Sequence, residues 1–138
     1  MPATITDVAR ALILAATVLA GSAGCGSSTD EASVPLLTAG TVSVTSRAGT
    51  PLSISAVEPI KLGKNDLGVT AGAGVELVTV SALMPAHGHG TRPPSVERTA
   101  EGYRVKELVL YMSGRWEVRL ALRAGAVEDE ALITIDVP

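Results

Sequence analysis

The seven residues Met84–Gly90, MPAHGHG, contain both histidines of the chain and one of its three methionines. With Met1 as initiator, the neutral soft or borderline metal ligands apart from Cys25 are Met84, His87, His89 and Met112. Thioether and imidazole together favour a soft ion, and methionine selects Cu(I) over zinc, calcium or magnesium. Outside the cytoplasm free thiols are oxidised, which leaves Met and His as the ligands suited to copper there. His87 and His89 are two residues apart and point to one side if the backbone stays extended, and the adjacent glycines remove side-chain obstruction. Met84 ends one predicted strand and Met112 another, which sets both at one rim where the four residues surround a single ion. The same residues also fit a reading without metal, in which Gly-His-Gly is a tight turn and both methionines are flexible core fillers.

These residues need a scaffold, and the alternation of apolar and polar positions supplies one. Candidate strands are Val42–Thr45, Leu52–Val57, Val75–Met84, Tyr103–Met112, Trp116–Arg123 and Ala131–Val137. Period-2 geometry puts Val78, Val80, Ala82 and Met84 on one face of the third, and Leu77, Thr79, Ser81 and Leu83 on the other. Trp116, Val118, Leu120 and Leu122 alternate with Glu117, Arg119, Ala121 and Arg123, the clearest half-buried strand in the chain. Leu108, Leu110 and Met112 are in phase. Lys61–Val69 contains the turn formers Gly63, Asn65-Asp66 and Gly68, and Ala71–Gly74 reads as a second turn. Arg92-Pro93-Pro94 interrupts the ladder, because proline cannot donate to a central strand. Arg92, Glu97, Arg98 and Glu101 read as a solvated loop surface. Six or seven strands with turns between them and no helical pattern after residue 24 predict an all-β fold, an antiparallel immunoglobulin-like β-sandwich spanning residues 40–138.

The N-terminal part reads as delivery. Arg10 precedes the apolar run Ala11–Ala20, and small residues Gly21–Gly24 lead to Cys25, the pattern of a secretory signal helix over residues 1–24. The run is shorter than the roughly 20 residues that span a bilayer. Ser22-Ala23-Gly24-Cys25 resembles the lipobox of bacterial lipoproteins, although Ser22 replaces the usual leucine. That resemblance implies lipidation at Cys25 and attachment to a membrane of the cell envelope, on its extracytoplasmic or periplasmic face. Residues 25–39, rich in Ser, Gly, Thr and acids, read as a flexible linker.

Composition narrows the function classes. A formal charge of −3 and a pI near 5.3 offer no basic stripe, and one Trp, two Tyr and no Phe offer few stacking platforms, so no nucleic-acid partner is expected. A single cysteine excludes an intramolecular disulfide and any CxxC metal site. Ser81, Ser95 and Ser113 are the serines that could approach a histidine, but no spacing singles one out as a nucleophile, and no enzyme activity is expected.

From about Pro59 to Val137 the chain resembles the YtkA-like and FixH-like families, bacterial envelope domains with an immunoglobulin-like β-sandwich. The matching features are Gly63-Lys64-Asn65, the MPAHGHG loop, Pro94, Gly102-Tyr103, and Met112-Ser113-Gly114-Arg115-Trp116-Glu117 in place of an MxGxW pattern. The resemblance implies copper handling or cytochrome oxidase assembly, with metal exchanged with another envelope protein. In that setting Trp116 and Tyr103 take structural roles. The competing expectation is a metal-free interaction module in which the same loop is a protein-binding tip.

Overall fold

The computed structural model describes residues 33–138, all of them in strands, turns and loops. The predicted signal helix, Cys25 and most of the predicted linker lie outside the described residues. Among the described residues ten strands form two five-stranded sheets. The first has the order β1-β10-β9-β5-β6, from Leu36–Leu37, Val127–Val137, Gly114–Ala124, Val75–Met84 and His89–Gly90. The second has the order β2-β3-β4-β8-β7, from Thr41–Thr45, Pro51–Ala56, Gly63–Ala71, Gly102–Leu110 and Ser95–Thr99. All pairings are antiparallel except β1 with β10. Both sheets contribute to one buried cluster, with Ile54, Val105 and Leu108 from the second sheet and Val80, Trp116, Val118 and Ile133 from the first, all fully buried.

The β9–β10 hairpin is the backbone of the first sheet. Its eleven-residue ladder pairs Trp116 with Ile135, Val118 with Ile133 and Leu120 with Ala131, so the alternation predicted from Trp116 to Leu122 faces the core throughout. Ser46 and Asp129 tie the two sheets together near the start of β10. The Ser46 hydroxyl donates to the Asp129 carboxylate and accepts from Thr50 N–H at 2.8 Å, while Asp129 also accepts from Ala48 N–H at 2.9 Å and Glu130 N–H at 2.8 Å. Burial pushes the Asp129 carboxyl upward, but these donors prevail and hold it below its ordinary value. Tyr103 links the sheets elsewhere, its hydroxyl donating to Val75 O at 3.1 Å.

Four of the ten strands lie outside the six candidates read from the sequence, and each has a local cause. The run Gly63–Ala71 is a nine-residue strand, β4, and not a chain of turns. Its turn-forming residues are used inside the sheet. Gly63 opens the strand at φ +96°, the buried Asn65 amide ties back to Lys61 N, Lys61 O and Gly63 O, and Gly68 leaves room for Ser55, whose Oγ would lie 2.7 Å from an added Cβ. Ser95–Thr99, read as loop surface, is the edge strand β7. Leu36–Leu37 pairs with Thr134 and Ile135 and buries Leu37 to 1% exposure, so strand pairing begins within the segment 25–39 that reads as linker. β6 is the short return of the motif hairpin.

Two bulges correct the predicted phases. On β5 the register with β9 shifts between Leu77 and Thr79, which buries Leu77 and turns Val78 out to 43% exposure, the reverse of the simple period-2 expectation. On β8, Lys106 and Glu107 together oppose Asp66, and Glu107 takes φ +58° with its N–H bonded to Asp66 Oδ1 at 3.0 Å. The bulge lets Tyr103 and Val105 share a core face with Leu108 and Leu110.

Candidate metal centre

The MPAHGHG stretch folds as a β-hairpin. β5 runs inward-outward as far as Met84, the loop Pro85–Gly88 reverses the chain, and His89 pairs with Met84. His87 N–H and Gly88 N–H both donate to Met84 O, at 3.2 and 2.9 Å, and Gly88 closes the turn at φ +64°, a conformation that favours glycine. Thr91 N–H continues the return arm onto Ala82 O at 3.0 Å. The hairpin is therefore held by backbone bonds, and the histidine side chains are not used to build it.

Both imidazoles are exposed, with ring centroids 6.3 Å apart and planes 21° apart. Two imidazoles on opposite sides of one ion, in a near-linear arrangement, reach about this separation, since each nitrogen stands about 2 Å from the metal and roughly 1 Å from its own ring centre. As directly opposed residues, Met84 and His89 leave the hairpin on the same face. Met84 and His87 also line a common cleft of about 300 Å³, together with Gly114 and Glu117. Gly114 lies beside the Met84 terminal methyl, where a Cβ would make ordinary van der Waals contact with Cε at 3.5 Å.

The methionines do not stand free at the rim. Met84 is 2% exposed and belongs to the core cluster. Met112 is half-buried, packs against that cluster, and lies beyond the end of β8, which stops at Leu110. Its carbonyl accepts from Trp116 Nε1 at 3.0 Å, and Trp116 in turn meets Tyr111 edge-on at 5.3 Å. This fixes the turn from Tyr111 to Gly114 under the hairpin, and Tyr111 Oη approaches Gly90 O at 3.5 Å. The structure thus sets Met84, His87 and His89 in one hairpin, and Met112, half-buried, in the neighbouring turn.

Pro85, Ala86, Ser113, Arg115 and Thr134 complete the lining of the cleft. Arg115 and Asp136 form a two-pronged pair, Nε to Oδ1 and the terminal nitrogen to Oδ2, both at 2.8 Å. Each raises or lowers the other as expected, Arg115 above and Asp136 below its ordinary value, through that hydrogen bonding. Ser113 borders the cleft beside His87, but its hydroxyl donates to Pro138 O at 2.8 Å. Glu117 and Gly114 are the site neighbours that ligand counting passes over. Their signals in the sequence are the Ser113-Gly114 turn and the outward phase of Glu117. Among the described residues no three of His, Cys, Asp and Glu converge on one point, so a metal here relies on the imidazole pair and sulfur. Comparison of the chain with family models, with curated proteins and with solved structures gives no match.

Proposed function

We propose that this protein is an exported lipoprotein, anchored in the cell envelope through Cys25, whose sandwich is of the immunoglobulin-like kind and binds copper at the β5–β6 hairpin. His87 and His89 are the principal ligands, Met84 is the thioether below them, and Met112 buttresses the turn against which Met84 packs. The observation that carries this reading is the pairing of two exposed imidazoles 6.3 Å apart with a methionine that lines the same cleft as one of them. The nitrogen and sulfur donors suit Cu(I). An exposed ion with few ligands exchanges readily, which fits storage or transfer to another envelope protein, including oxidase assembly, and needs no catalytic residue on this chain.

One observation favours a second reading. Met84 and Met112 already serve as core packing, as they do in a metal-free interaction module whose hairpin is a protein-binding tip. Metal analysis separates the two. The purified full-length chain, dialysed against Cu(I) under reducing conditions, retains about one equivalent if the donors act together. Copper at background level supports the interaction module instead.

A further inference from the structure

We propose that a divalent ion at this hairpin joins two copies of the chain tip to tip, each copy contributing His87 and His89. The inference rests on the metal reading above and concerns ions that the single site leaves incomplete. Zinc and Cu(II) take four ligands or more, with imidazole among the preferred donors. One copy offers two exposed imidazoles, and no third His, Cys, Asp or Glu joins them among the described residues. Met84, at 2% exposure, is a soft ligand suited to Cu(I) and a poor one for a divalent ion. A divalent ion held by His87 and His89 alone therefore keeps open positions facing solvent, and a second hairpin fills them with two more imidazoles.

The tip itself favours an identical partner. Met84–Gly90 carries no charged residue, so the turn itself adds no like-charge repulsion between two copies. Every residue of the turn, Pro85–Gly88, is exposed, so nothing shields the imidazoles from a second tip. Pro85 and Ala86 give the approach a small apolar surface. A two-fold axis through the ion makes the contact isologous, with the same two side chains of each copy closing the site from both sides. Cu(I), satisfied by two imidazoles and a thioether, leaves the chain single. The oxidation state of bound copper thereby sets whether the domain is free to engage another protein or is closed on its own copy.

The test uses the untagged full-length chain in detergent with Zn²⁺ as the redox-silent probe. Expected are binding that saturates at about half an equivalent per chain and a doubling of protein mass by light scattering, reversed by a chelator. Cu²⁺ should show four coupled nitrogens per ion by electron paramagnetic resonance, and His87→Ala with His89→Ala should abolish both effects. Saturation at one equivalent on a monomer, with two coupled nitrogens, overturns the bridge and leaves the copper reading standing. Absence of Zn²⁺, Cu²⁺ and Cu(I) uptake overturns both. Doubling of mass that persists in the double-histidine variant assigns the contact to another surface and also overturns the bridge.

Discussion

Replacing Met84 with leucine separates ligation from packing at the one position where the two roles coincide. Met84 is 2% exposed, its terminal methyl lies against Gly114, and it lines the cleft shared with His87. Leucine keeps the apolar volume and removes the sulfur. A volume-conserving swap of this kind costs less than about 1.5 kcal/mol, a melting shift below roughly 12 °C for a domain of this size. Alanine instead leaves a cavity and costs about 2–5 kcal/mol. If the thioether is a ligand, M84L weakens Cu(I) binding at least tenfold, or about 1.4 kcal/mol, while the fold persists. The assay is a competition titration against a chromophoric Cu(I) chelator, run beside thermal denaturation of wild type, M84L and M84A. Unchanged Cu(I) affinity in M84L refutes the assignment of sulfur to the site. A loss of stability in M84L as large as in M84A refutes the account of its packing.

Gly102 stands at φ +145° with a Cβ position 2.3 Å from Val69 O. Gly102→Ala should therefore cost about 3 kcal/mol or more in urea unfolding, from backbone strain and a clash with backbone that cannot yield. The β5 bulge predicts opposite outcomes at neighbouring positions. Val78→Lys should leave stability within about 0.5 kcal/mol, whereas Leu77→Lys buries an unpaired charge and should prevent folding, as read by circular dichroism. Asp129 is held below its ordinary value of 3.8, so its contribution is fully present above that value and is lost as pH falls through the depressed folded one. Asp129→Asn should cost about 1–3 kcal/mol near neutrality, and the gap to wild type should narrow as pH falls below that ordinary carboxyl value and through the depressed one. A gap independent of pH would contradict the role given to the carboxylate.

Strands were legible where side-chain alternation and burial agree, and obscure where backbone requirements decide. Trp116, Val118, Leu120 and Leu122 alternate without interruption, and the ladder with β10 follows that pattern residue for residue. β4 escaped the same reasoning because Gly63, Asn65 and Gly68 look like turn residues in isolation. Their use only becomes apparent beside Lys61 and Ser55, four and thirteen positions away in the chain. Leu77 and Val78 exchanged faces because a bulge inserts one residue into a period of two, and no residue in VELVTVSALM marks it. The short pairings of Leu36–Leu37 and of His89–Gly90 exist only because β10 and β5 present partners.

At the site, the clustering of both histidines was readable directly, since they are two residues apart. Their 6.3 Å separation was not, because it depends on Gly88 closing the turn through Met84 O. Met112 was expected at a strand end overlooking the rim. β8 stops at Leu110, and the bond from Trp116 Nε1 to its carbonyl holds Met112 in the following turn, packed against the core.

The central claim is that the histidine pair holds copper, and the most direct measurement compares the copper retained by wild type with that retained by His87→Ala/His89→Ala after equilibration with Cu(I). Both side chains are exposed and the hairpin is built from backbone bonds, so the double variant should match wild-type stability to within about 0.5 kcal/mol. The account predicts copper bound by wild type and lost by this folded variant. Equal copper in both proteins, or none in either, contradicts it.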